Sequence, residues 1–162
     1  MEPAEENRFY CEHVAMVVRS YYQLTGKQIG VGAPCHQQLD LATDSAFAQS
    51  LFNAPFALIS HGTEAEPLFN YANKTAMKLF NMTWDEITNL QSRYSAEQPS
   101  RAERTQLLNE VKAKGYIENY SGVRIAQGGG RFYIEQASVW NLTDNEGRYR
   151  GQAAMFSDWH YL

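Results

Sequence analysis

Between Glu5 and Thr25 the polar residues Arg8, Glu12, Arg19 and Gln23 return on one narrow stripe of a helical projection, while Phe9, Tyr10, His13, Val14, Met16, Val17, Val18, Tyr21, Tyr22 and Leu24 fill most of the rest. The spacing predicts a helix over this whole range. A helix apolar around most of its circumference needs cover on two sides, from its own core and another segment or from a second copy of the chain. Gly26 is placed to end it, Gly30 to Pro34 reads as a connector, and a shorter helix is predicted over Asp44 to Phe52.

The apolar run PFALISHG, Pro55 to Gly62, is bounded by proline and glycine and predicts a buried strand. Leu68 to Tyr71 predicts a second. Without an intervening loop, Ala76, Met77, Leu79 and Phe80 then take up helical spacing, and Asn73 at the corner is placed to satisfy backbone groups of the turn. Thr83 and Glu86 form a capping box, and Ser100 to Glu103 repeat the device before a helix through Leu107, Leu108 and Val111 that Gly115 stops. Three runs rich in β-branched and aromatic residues follow, Tyr116 to Ala126, Arg131 to Leu142 and Arg148 to Asp158. The turns Gly128-Gly129-Gly130 and Asp144 to Gly147 join them as two hairpins.

In the middle run, alternation puts Phe132, Ile134, Trp140 and Leu142 on one face and Tyr133, Ala137 and Val139 on the other. Both faces are apolar, so both need cover. The predicted class is α+β: a five-stranded antiparallel sheet with short helices on one face, and N-terminal helices on the other face or at a dimer interface. Its first two strands are separated in sequence from the last three by the helical segment.

With 162 residues, 44% of them apolar and 13% aromatic, the chain can bury one sizeable core. The expected division is a helical extension over 1–38 and the sheet-bearing domain over 39–162. A net charge of −4 gives no basic field to neutralise a phosphate backbone, so nucleic acid is not an expected partner. No apolar run approaches the roughly 18 residues that span a bilayer. The acidic start MEPAEEN also lacks a basic targeting region, so the expectation is a cytoplasmic protein with no membrane partner.

Candidate chemistry is sparse. Cys35 and His36 lack a second pair of metal ligands, and Gly30-Val31-Gly32 follows a helix and lacks the third glycine of a dinucleotide loop. Ser60 and His61, adjacent on a strand, point to opposite faces and cannot act as nucleophile and base; a hydrogen-bonded turn histidine is the better reading of His61. An enzyme is the weakest expectation, since no pair of acid–base or metal-binding residues shares a recognisable spacing.

The element order resembles the PAS fold, with Ala72-Asn73, Leu79-Phe80, Thr83 and Glu86-Ile87 on the strand-to-helix unit and Gly147, Gly151 and Asp158 on the closing hairpin. The stretches SHGTEAEPLFNYANKTA (Ser60 to Ala76), SRYSAEQPSRAER (Ser92 to Arg104), YSGVRI (Tyr120 to Ile125) and WNLTDNEGRYRGQAAMFSDW (Trp140 to Trp159) are more specifically similar to the MEKHLA domain family. This PAS-related domain occurs alone in bacteria, cyanobacteria and algae, and at the C-terminus of plant class III homeodomain leucine-zipper regulators. The resemblance implies a sensory or regulatory module that pairs with something or senses something.

A PAS-like core implies a site between sheet and helices. Both cysteines precede the core, so the cysteinyl-flavin signature is missing, and the helix from Ser100 to Lys114 has no histidine to serve as a haem ligand. The cofactor is therefore unknown, and the two readings left are a small organic ligand or a ligand-free module that only mediates pairing. Candidate ligand-binding residues are Tyr71, Asn73, Met77, Arg93, Tyr94, Tyr120, Arg124 and Trp140. Arg124 among apolar strand residues suits bidentate recognition of a carboxylate. The rival reading is structural: arginines in local ion pairs, aromatics and Met77 as core. A homodimer is the expected partner state.

Overall fold

The computed structural model describes residues 1–30, 43–97 and 101–162, apart from the side chains of 101–105 and 108. Most of the predicted connector, Cys35-His36, the boundary at 38/39 and the Ser100 cap lie outside the described residues.

A 3-10 segment, Glu5–Tyr10, leads into α1 (Cys11–Thr25), and α2 (Ser45–Phe52) precedes the first strands, β1 (Ala57–His61) and β2 (Phe69–Ala72). Then come α3 (Lys74–Phe80), α4 (Trp84–Ile87), a 3-10 turn at Ser92–Ser95 and α5 (Arg101–Lys114). The chain closes with β3 (Tyr116–Ile125), β4 (Arg131–Thr143), β5 (Tyr149–Phe156) and β6 (Asp158–Tyr161). The sheet is antiparallel in the order β2-β1-β5-β4-β3, and β6 carries the line of β5 onward along the first half of β4. This is the expected α+β class, with the last run divided at Ser157 into two strands.

The helix expected from Glu5 starts instead at Cys11. Arg8, Phe9 and Tyr10 all adopt left-handed backbone angles, with φ of 54, 53 and 53°, which interrupts the right-handed winding. The turn delivers the buried Phe9 against Phe52 and stacks Tyr10 on Trp84 at 5.5 Å between centroids, contacts that a continuous helix would not aim.

Residues opposite each other in an antiparallel ladder share a face. Ser60 opposes Tyr71 and Ala153, and Ala153 opposes Trp140. These form an outer face that α1 covers: the Trp140 indole N–H donates to the Val17 carbonyl at 3.1 Å, and the Tyr21 and Trp140 rings lie 4.6 Å apart. Val14, Val17 and Val18 are fully buried there, each worth about 1.5–3 kcal/mol of stabilisation. Next to Ser60, His61 points to the inner face and opposes Phe69; Phe69 and Phe132 both pack against Phe80 of α3, at 6.4 and 5.2 Å.

Phe132 and Trp140 therefore lie on opposite faces, which corrects the simple alternation expected along β4. The cause is Gln136, with φ of 53°: between Ile134 and Ala137 three residues of β4 oppose two steps on β3, from Tyr120 to Gly122. An extra residue in one strand reverses which side its successors face. Asn70 does the same in β2, where one step from Ser60 to His61 meets two from Tyr71 to Phe69.

The strand-to-helix corner rests on Asn73, which is fully buried. Its Oδ1 accepts from the amides of Leu58 and Ala76, each at 3.1 Å, and its Nδ2 donates to the carbonyls of Leu51 and Phe56 at 3.1 and 2.8 Å. One side chain thus caps α3 and ties it to α2 and β1, the role its position predicted. Gly151 makes the other close approach. A Cβ there would lie 1.9 Å from the His61 carbonyl oxygen, and φ is 126°.

Asn73→Ala leaves several buried backbone groups unpaired and is expected to cost roughly 3–5 kcal/mol in a denaturant titration. Gly151→Ala forces β5 off β1 and is expected to cost more than about 3 kcal/mol, a loss of the kind reserved for core backbone strain. A near-neutral result for either variant would contradict the corner and strand contacts described.

Candidate functional site

Two polar constellations interrupt the apolar core, one on each face of the sheet. On the outer face, His13 of α1 lies 2.9 Å from the Ser60 hydroxyl through Nε2, and Ser60 donates to Asn70 Oδ1 at 2.6 Å. The amide oxygen can only accept, so the serine hydrogen goes to Asn70 and the imidazole N–H donates to Ser60. His13 is thus a donor, not a base drawing a proton from Ser60. The arrangement clasps α1 to β1 and β2 and does not activate a nucleophile. Ser20 adds a second clasp: its hydroxyl bonds the Thr143 carbonyl at 3.3 Å and receives the Thr143 amide at 3.0 Å.

Beside this clasp stands Tyr71, its ring 5.7 Å from His13 and edge-on to Trp84 at 6.0 Å. The residue is buried, and among the described residues its hydroxyl has no hydrogen-bond partner. Burial pushes the phenol's pKa up, so it stays protonated. Burial also lowers the His13 pKa, from 6.5 to about 4, so the imidazole is neutral at neutral pH.

The inner face carries the second constellation, on β3. Tyr120, Gly122 and Arg124 alternate onto one side, and Arg124 opposes Phe132, so this side faces α3. The Arg124 guanidinium sits 5.6 Å from the centre of the Tyr120 ring. The tyrosine ring lies over Gly122, where an added Cβ would come within 2.9 Å of the Tyr120 oxygen. Burial lowers the arginine's pKa, and the Tyr120 oxygen pulls the other way. Among the described residues Arg124 has no ion pair. Glu97, next to the residue bridging Arg124 on the free edge of β3, is taken by Arg131.

The other candidates disperse. Trp140 and Tyr71 lie under α1, Asn73 holds the corner, and Met77 is buried on α3 beside Ala76, Leu79 and Phe80. Arg93 stacks on the exposed Tyr94 and pairs with Glu66 at 3.3 Å, a surface cluster. His61 is the turn histidine expected, its Nδ1 2.9 Å from the Gly62 carbonyl. Sequence reasoning missed His13, Ser60 and Asn70 as a unit. The available signal was a histidine on the apolar side of the first helix and a hydroxyl inside a buried strand.

The fold is that of PAS domains. The chain is similar to the PAS domain of a protein from Colwellia psychrerythraea, with a TM-score of 0.56 and 11% identity over 72% of this chain and 94% of that one. It is similar to an RNA-binding light-oxygen-voltage receptor, with a TM-score of 0.61 and 17% identity over 78% of this chain and 36% of that one. The light-state dimer of the fungal blue-light photoreceptor Vivid gives a TM-score of 0.55 at 12% identity, covering 86% of this chain and 89% of that one. Residues 11–161 match the MEKHLA domain model, and the chain belongs to the MEKHLA domain family. The match includes α1. The homeobox-leucine zipper protein ATHB-14 of Arabidopsis thaliana is 24% identical over 100 residues, 62% of this chain but only 12% of that protein's length.

A histidine whose folded pKa lies below its unfolded value is fully stabilising above pH 6.5, and its contribution falls as pH drops toward 4 because the unfolded chain takes the proton first. Between pH 7 and pH 5 the wild type is expected to lose about 2 kcal/mol more unfolding free energy than His13→Gln, which keeps a donor without the titration. Parallel pH profiles for the two proteins would show that His13 is not desolvated between α1 and the sheet.

Proposed function

We propose that the chain is a PAS-like sensory or regulatory domain that binds a small organic ligand between the inner face and its helices, and reads occupancy out through α1. The observation that carries the proposal is that one strand serves both faces. In β1, Ile59 lies on the inner side opposite Ala72, and the next residue, Ser60, holds His13 of α1. A ligand that moves β1 by a fraction of an ångström alters the clasp, and binding then shifts the balance between two seatings of α1.

Met77, Tyr120 and Arg124 are the proposed ligand-side residues, with Asn73 fixing the corner and Arg93 and Tyr94 on the surface beyond. Tyr71 and Trp140 stand on the α1 side, where they report occupancy and do not touch the ligand. Similarity to receptor and photoreceptor domains and to a homeobox-leucine zipper protein supports regulation over turnover. The proposed partner is a second copy of the chain, meeting it at α1 and at the part of the outer face beyond it. There Tyr133 and His160 pack together at 5.3 Å and Val123 is half-buried.

A second reading has its own support. Phe69, Phe80 and Phe132 form a continuous run of rings across the inner face, which suits a solid core and a module that acts by pairing alone. Native mass spectrometry and light scattering of the full chain separate the two. The ligand reading expects a small molecule retained on the 18.5 kDa chain, and the dimer reading expects twice that mass. A bare dimer would select the pairing module, and a bare monomer would remove both.

A further inference from the structure

We propose that the inner-face site is a receptor for a small monocarboxylate with a flat apolar body, held by Arg124 and Tyr120. This inference rests on the ligand reading above and names the chemistry of the molecule.

The argument begins with charge. A guanidinium keeps its proton under almost any surroundings, so a desolvated one needs an anion, a ring face or hydrogen-bond acceptors to offset lost hydration. Arg124 has the Tyr120 ring, and among the described residues its guanidinium makes no hydrogen bond or ion pair. Its nearest acidic candidate along the neighbouring segment, Glu97, is engaged by Arg131. Every other described arginine except Arg19 has a carboxylate or carbonyl partner or the Tyr94 hydroxyl: Arg8, Arg93, Arg131, Arg148 and Arg150. Arg19 and Arg124 are both partly exposed, but Arg124 lies on the sheet face turned to the core.

Gly122 gives the site its shape. Because it lacks a side chain, the Tyr120 ring can lie along β3 over it, with the Arg124 guanidinium 5.6 Å from the ring centre, so a phenol hydroxyl and a guanidinium share one side of the strand. Both are donors, and the phenol meets a carboxylate as a donor. The walls around them are apolar: Phe132 opposite Arg124, and Phe80 edge-on to Phe132. A carboxylate matches the planar fork of one arginine, and a flat body matches the aromatic walls. A phosphate dianion fits less well, since the second described arginine nearby, Arg131, is already paired. Tyr120, Gly122 and Arg124, the residues of β3 on this side, are all partly exposed, so the site opens to solvent along β3.

The test uses the full chain and three probes, benzoate, benzamide and inorganic phosphate, with binding followed by calorimetry and by NMR of the Tyr120 to Ile125 amides. Benzoate is expected to shift these amides, and benzamide and phosphate to bind at least about tenfold more weakly, in proportion to the lost bidentate pair. Arg124→Gln is expected to weaken benzoate by about tenfold or more, with Arg124→Lys between the two and Tyr120→Phe weaker than wild type. Melting of Arg124→Gln is expected at or above the wild-type temperature, because the variant removes an unpaired desolvated charge. Melting well below it in both arginine variants would assign the guanidinium a structural role and overturn the proposal. Benzoate affinity unchanged in Arg124→Gln, or matched by benzamide, would overturn it too. If a neutral molecule is retained on the chain and Arg124→Gln leaves it bound, the ligand reading stands and the carboxylate falls. If benzoate fails to bind and the chain is bare in native mass spectrometry, both fall together.

Discussion

A sheet that is apolar on both faces has to be covered twice, and the arrangement of the molecule follows from how this chain meets that demand. The inner face takes α3, with Phe80 between Phe69 and Phe132, while the outer face takes α1, with Val14, Val17 and Val18 buried against β4 and β1. The first helix is therefore part of the core. Removing it would expose Trp140, Leu142 and Tyr71, all of which are essentially inaccessible to solvent. In the proposed readout, α1 is the output element because it must sit on the sheet for the fold to be stable.

Which face the large rings of β2 and β4 reach is set by two of the sheet's irregularities. The extra residue at Asn70 lets Tyr71 join Ser60 on the outer side while Phe69 stays inside, and the extra residue at Gln136 lets one strand offer Phe132 inward and Trp140 outward. Without them the large rings of β2 and β4 would crowd a single face. Bulges of this kind re-aim side chains at the expense of a ladder hydrogen bond, and here they divide the aromatic residues between two helical layers.

The polar groups inside this structure fall into two sets. Asn73 has all four of its bonds, and the His13–Ser60–Asn70 series is satisfied link by link. Buried polar groups are normally paired, so those that depart from the rule are informative. Tyr71 hides a hydroxyl beneath α1 that has no partner among the described residues, and Arg124 brings a charge to the inner face with an aromatic ring beside it. One lies on the side of the proposed output and the other on the side of the proposed ligand, with β1, β5 and β4 between their strands in the sheet.

Much of this was readable along the chain, because it depends on near neighbours. The capping box at Thr83 and Glu86, the stops at Gly26 and Gly115, the turn histidine His61 and the Asn73 corner are each set within a few residues and appear as expected. The α+β class and the hairpins also followed, since periodicity and turn residues are local signals. The start of α1 was not, because three left-handed residues are held by Phe52 and Trp84, far away in the chain. Nor was the sidedness of β4, since a bulge depends on the register of two strands and not on either alone. The same reason separates the candidate residues: Tyr120 and Arg124 meet because Gly122 lies between them, while His13 finds Ser60 across 47 positions, a distance that only folding closes.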